Sequence, residues 1–243
     1  MTNFLKNHPF GVQAHFNESI VLTFAVKKED VEKMIPNHLE LDIFDDKWAF
    51  LALAMVDTKD LRPKGFPKLV GKDFFLIGYR IFVRYTNKNG KRLRGLYILK
   101  SQTNKSLMTF FGNIFTHYNY TTTDISMKQV KNHTCINSIN SGLEVCFTKD
   151  GESIKLPVSS PFSNWKEARR FAGPLPFTFT IDEINNEVLI IEGVRQHWKP
   201  KPIKVIDYNI DFINKLNFDI QLSNAFIIEN IPYYWKKGKL EKW

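Results

Sequence analysis

Four of the chain's eight arginines, Arg80, Arg84, Arg92 and Arg94, fall in one short stretch. In FFLIGYRIFVRY, strand alternation puts Arg80, Phe82 and Arg84 on one face and Tyr79, Ile81, Val83 and Tyr85 on the other. The run NKNG at 87–90 supplies turn chemistry, and KRLRGLYILKS then resumes the extended pattern with Arg92, Arg94, Leu96, Ile98 and Lys100 on one face. The result is a β-hairpin whose two strands each present alternating cations. A guanidinium is a planar fork suited to gripping a carboxylate. Inside a barrel such a cation requires an anion, whereas on a solvated sheet face it requires nothing. Both placements fit the pattern.

Other reactive side chains are more scattered. Lys105 follows the second hairpin strand, and Lys100 lies within it. His117 and Tyr118 stand in a polar, aromatic cluster (THYNY), where an imidazole near neutral pH can carry protons. A lone histidine more often has a structural, hydrogen-bonded role. His8, His15, His38, His133 and His197 are widely spaced and form no HExxH, so no metal is expected. Cys135 and Cys146 form no CxxC, which points to reduced thiols and a cytoplasmic location.

These groups need a scaffold. A chain of 243 residues with 43% hydrophobic content and 21 phenylalanines can fill a large core, and no linker or repeat divides it, so one domain over 1–243 is expected. No apolar run approaches a membrane span or a secretion signal. The net charge of +9 is spread through loops, apart from lysines at 236–242 beside Trp235 and Trp243. That distribution reads as solvated surface and tail, with no nucleic acid expected and polyanion binding as the weaker alternative.

The apolar runs at 19–26 and 48–56 read as strands, the second buried on both faces. Residues 28–35 read as a helix stopped by Pro36. The apolar segment 107–115 is interrupted at Gly112-Asn113, as by a bulge or a close backbone approach. One strand is expected within 137–148, a turn at 149–151, and a helix over Trp165–Phe171 capped by Ser163 and ending before Gly173-Pro174. A strand pair at 177–181 and 187–194, an edge segment at Pro200 and Pro202, a short helix at 211–216 and an extended segment at 225–231 complete an α+β, β-rich chain.

The segments HPFGVQAHF, IPNHLELD, WAFLALAMVDTKDLRPKGFP, GKDFFLIGYRIFVRY, RLRGLYILKSQTN, GNIFTHYNY, RFAGPLPFTF and GVRQHWKPKPIKV together resemble the YqjF-like family, the domain of unknown function 2071. That family is similar to acetoacetate decarboxylase, which implies a large mixed β-barrel or cone with a few short peripheral helices around an internal pocket. The decarboxylase forms a Schiff base through a lysine whose pKa is lowered by a second lysine. Aligned on Gly95, this chain places Thr103 and Asn104 at the two lysine positions, and one inserted residue brings Lys105 to the site. The family's strand carboxylate falls at Leu51 and its early arginine near Asn17.

Two functions follow. One is a barrel that binds a small organic acid, with Arg80, Arg84, Arg94 and Phe82 as ligand contacts. The other is a Schiff-base enzyme for a keto acid or related carbonyl compound, with Lys105 or Lys100 as nucleophile and His117 or Tyr118 moving protons. Neither calls for a cofactor or a membrane, and a homo-oligomer is compatible with both.

Overall fold

The computed structural model describes residues 2–149, 154–173 and 175–243. Helix α1 (Thr2–Lys6) leads into β1 (Val12–Lys27). Helix α2 (Lys28–Val31) continues as a 3-10 turn over Glu32–Met34 and stops before Pro36, where β2 (Glu40–Leu41) and β3 (Trp48–Pro63) follow. The arginine hairpin is β4 (Lys72–Thr86) and β5 (Arg92–Thr103). After it come α3 (Ser106–Phe115), β6 (Tyr120–Thr122), β7 (Ser126–Val130), β8 (His133–Ser138) and β9 (Leu143–Thr148). The last third contains α4 (Trp165–Phe171), β10 (Phe177–Asp182), β11 (Glu187–Arg195), β12 (Lys201–Pro202) and β13 (Lys204–Ile210). It closes with α5 (Asp211–Asn214), β14 (Gln221–Trp235) and β15 (Lys239–Lys242).

Among the described strands, seven form a ring in the order β14-β1-β3-β4-β5-β10-β11, and β11 returns to β14. The ring is cone-like rather than a regular barrel. Its seam is short, pairing Gly193, Val194 and Arg195 with Trp235, Tyr234 and Tyr233. The β5–β10 junction is parallel and the other ring junctions are antiparallel. A second sheet, β13-β9-β8-β7, covers one flank.

This layering explains the unbroken apolar run in β3. Leu51, Leu53 and Met55 turn outward and join Ile20, Leu22 and Phe24 of β1 in one core with Ile136, Val145 and Phe147 of the second sheet. Ala52, Ala54 and Val56 turn inward to a cavity. Both faces of the strand are therefore covered by apolar surroundings, and period-two alternation disappears from the sequence.

Several expectations need correction. The 107–115 segment is helix α3, and its interruption is a close approach: a Cβ on Gly112 would lie 2.4 Å from the Tyr120 ring. Region 137–148 contains the end of β8, a turn and β9. Cys135 and Cys146 stand opposite each other in that pair and are disulfide-bonded, so the thiols are not free. Asn164, not Ser163, caps α4 by accepting from the Glu167 N–H. The terminal lysines are not a loose tail, because β15 pairs with β11 and Lys236 and Lys242 ion-pair with Glu192 and Glu187. Of the turn expected at 149–151, Asp150 and Gly151 lie outside the described residues, as does Pro174. No described helix is long and apolar enough to cross a membrane.

Candidate ligand-binding cavity

The ring encloses a cavity of about 650 Å³. Phe82 lines one end and is backed by an aromatic floor outside the cavity: the Phe50 ring stacks on Phe162 at 5.4 Å, lies 5.2 Å from Phe171 and sits 5.8 Å from Phe82. One layer above, Ala52 of β3 pairs with Arg80 of β4, Ala54 pairs with Gly78, and Gly78 pairs with Ser101 of β5. Small residues thus line the wall beside Arg80 on β3 and along β4, with Ile98 opposite it on β5. Arg80 uses the room, because its Nε and Nη2 lie 3.2 Å from where a Gly78 Cβ would stand.

Arg80 is enclosed by protein, and the surface it retains lines the cavity. Burial pulls its pKa below the usual arginine range, and the charge of Arg195 acts in the same direction, while the Tyr233, Tyr120 and Tyr118 phenols oppose both. Among the described residues no carboxylate ion-pairs with Arg80, and its Nε has no hydrogen-bond partner. A buried cation in that condition carries an uncompensated desolvation penalty.

Arg195 is a second such group. Its guanidinium lies over Trp198 at 4.3 Å and Tyr233 at 5.4 Å, and Nη2 donates to the Leu175 carbonyl at 3.0 Å. Burial lowers its pKa too, and no described acidic side chain pairs with it. Trp198 Nε1 and His8 Nε2, both on residues lining the cavity, are buried without partners. Burial holds the His8 imidazole down to about 4, so it is neutral at physiological pH. Tyr118 also lines the cavity, with its hydroxyl 2.7 Å from Thr178 Oγ1, and burial pushes its phenol up to about 12. The arrangement is a largely apolar chamber with several N–H donors, whose one described lining carboxylate, Asp73, pairs with Lys59, and it can receive a carboxylate.

The residues singled out from sequence divide into two groups. Arg80, Phe82, Lys105 and Tyr118 line the cavity; Arg84, Arg94, Lys100 and His117 do not. Arg84 and Arg94 face one another across the hairpin and bind the two oxygens of the fully buried Asp42 carboxylate, at 2.5 and 2.7 Å. Arg94 also donates to the Phe171 carbonyl at 2.8 Å. These two cations share one counter-ion, and Arg94 also lies over the Phe171 ring at 4.7 Å. Lys100 requires a correction of face. The β4–β5 register shifts between Tyr79 and Arg80, leaving Leu99 as an extra residue, so Lys100 stands opposite Tyr79 and its ammonium lies 5.6 Å from the Phe212 ring, on the outer side.

His117 lies beside the N-terminal segment, with Nε2 3.2 Å from Asn7 Oδ1, and burial lowers its pKa. Lys105 is exposed at the N-cap of α3. It follows buried Thr103 and Asn104, whose amide oxygen accepts from the Phe75 N–H at 2.9 Å. Leu51 faces the outer core, and Asn17 donates to Asp57 at 3.0 Å. Arg195, Trp198 and Tyr233 escaped the sequence reading, which took His8 only as one of several scattered histidines. The only trace of the first is an arginine ending the apolar run VLIIEGVR.

Similar architectures occur among solved proteins. Acetoacetate decarboxylase from Legionella pneumophila superposes with a TM-score of 0.61 at 10% identity, covering 97% of this chain and 89% of that one. An acetoacetate decarboxylase-like enzyme from Sphingomonas wittichii RW1 gives 0.56 at 7% identity, covering 97% and 93%. The enduracididine biosynthesis enzyme MppR, in complex with pyruvate, gives 0.54 at 9% identity, covering 96% and 90%. Likeness at such low identity establishes a shared fold. A search by sequence among curated proteins finds no match. The profile of an uncharacterized conserved protein family, DUF2071, matches residues 13–227, and the chain belongs to that family.

Proposed function

We propose that this protein binds a small organic acid in the cone, with Arg80 and Arg195 receiving the carboxylate. The observation that carries the proposal is that these two guanidiniums, largely enclosed by protein and lining the cavity, have no carboxylate partner among the described residues. An anionic ligand would supply the missing charge, and low local polarity would strengthen the contact. The pyruvate complex of MppR, which has the same fold, supports an organic acid as ligand class. Isothermal titration of the purified protein with carboxylic acids tests the reading. Saturable binding that Arg80→Met weakens at least tenfold is expected; equal affinity in that variant would refute it.

A second reading rests on Lys105, which lines the same cavity. As a Schiff-base nucleophile it would condense with a keto acid carbonyl, losing water. Around it, Thr103 and Asn104 provide no second ammonium to depress its pKa. Borohydride trapping with keto acids followed by mass spectrometry separates the two readings. A reduced adduct on Lys105 would establish the enzyme, and an unmodified protein is the outcome expected for a binding protein.

A further inference from the structure

The cavity's shape carries the ligand assignment further. One end of the lining is Phe82, backed by the buried Phe50 ring, and the Arg80 guanidinium is folded back from that end over Gly78. From Gly78 the inner wall of β4 continues through Leu76 to Phe74, faced by Val56 and Thr58 of β3. Beyond Phe74 the lining passes to Val70, Leu107 and Phe111, all exposed large hydrophobic residues. Arg80, Arg195 and the tyrosine phenols thus gather around the Gly78 level, and one side of the wall is apolar from there to the surface, while Thr58, Arg62, Lys72, Asp73 and Lys105 line the rest of the outer end.

A three-carbon keto acid on Arg80 would leave nearly all of that track empty. With strands rising about 3.3 Å per residue, the four steps from Gly78 to Phe74 span roughly 13 Å. An extended chain advances about 1.1 to 1.2 Å per bond, so an acyl chain of roughly eight to twelve carbons covers that distance.

On this basis, and resting on the acid-binding reading above, we infer that the cavity takes an amphipathic monocarboxylic acid, a medium-chain fatty acid. Its carboxylate lies inward at Arg80 and its tail runs along Leu76 and Phe74 toward the α3 rim. This orientation places the charge where donors lack partners and the methylenes where the wall is apolar. The reverse orientation would bury the tail against the Arg80 and Arg195 guanidiniums and leave the Arg80 Nε without an acceptor.

Calorimetric titration of the full chain with pyruvate, butanoate, hexanoate, octanoate, decanoate and dodecanoate, and with 1-decanol as neutral control, tests this. Affinity should rise about fourfold per methylene up to a chain of roughly ten carbons and then level. Arg80→Met should weaken decanoate at least tenfold while leaving 1-decanol within about twofold. Leu76→Trp, which narrows the track without touching Arg80, should weaken decanoate at least tenfold and spare butanoate. Butanoate or pyruvate binding as tightly as decanoate, still dependent on Arg80, would overturn the fatty-acid assignment and leave acid binding standing. No saturable binding of any acid to folded protein would overturn both.

Discussion

The Arg80 guanidinium lies folded over Gly78, two residues earlier on the same strand face, with Nε and Nη2 3.2 Å from the point where a side chain at Gly78 would begin. The glycine is therefore part of the cation's seat. Adding a methyl group there forces the guanidinium to move by a few tenths of an ångström. For Gly78→Ala we expect a three- to tenfold loss of organic-acid affinity by calorimetry, with stability changed by less than about 1 kcal/mol because alanine suits a strand at least as well as glycine. Unchanged affinity would show that the position of the fork does not matter.

Removing the cation should improve the empty protein. Arg80 bears a desolvation cost with no described anion to offset it, so Arg80→Met is expected to raise unfolding stability by about 1 kcal/mol while weakening acid binding. Contact with water in the cavity keeps the gain modest. Urea denaturation of the ligand-free variant is the measurement, and a loss of stability would mean that the guanidinium is satisfied in the folded state.

Asp42 behaves in the opposite way. It is the shared counter-ion of Arg84 and Arg94, so Asp42→Asn leaves two partly buried cations facing each other. The expected cost is about 3 kcal/mol, limited by the partial exposure of both arginines. Equilibrium unfolding reads this directly, and a change below 1 kcal/mol would contradict it.

Acid sensitivity should trace in part to His8. Burial holds its folded-state pKa at about 4 against 6.5 when free, so the unfolded chain binds a proton that the folded chain refuses between those values. Its contribution is fully present above pH 6.5 and is lost as pH falls toward 4, by up to about 3 kcal/mol. In His8→Gln, denaturation midpoints measured across this window should fall less steeply than in the parent; parallel slopes would exclude the residue as a source.

Much of the scaffold was readable because local pattern and tertiary role agree. The β4–β5 hairpin declares itself by alternation and an Asn-Gly turn, and β3 by an apolar run longer than one exposed face permits. Where one extra residue intervened, the reading failed: the bulge at Leu99 turned Lys100 outward, a change of face that composition does not encode. Helix α3 was missed because Leu107, Met108, Phe110 and Phe111 are apolar without being core, and three of them are exposed. Arg84 and Arg94 looked equivalent to Arg80 in sequence. Only the fold brings Asp42 to two of them and leaves the third unpaired, and only the fold adds Arg195 from more than a hundred residues away.

The seam that closes the ring runs through this same chemistry. Arg195 and Tyr233 are paired across it, and only the parallel β5–β10 junction of the ring is as short, so the β10–β11 pair is joined to the other five strands by two brief junctions. A molecule anchored to Arg80 on β4 and Arg195 on β11 therefore acts as a clasp that ties the β10–β11 pair to the rest of the cone, bridging the strands on either side of both short joints. Loading would make the container a tighter shell, so amide hydrogens at Gly193–Arg195 should exchange more slowly when it is full.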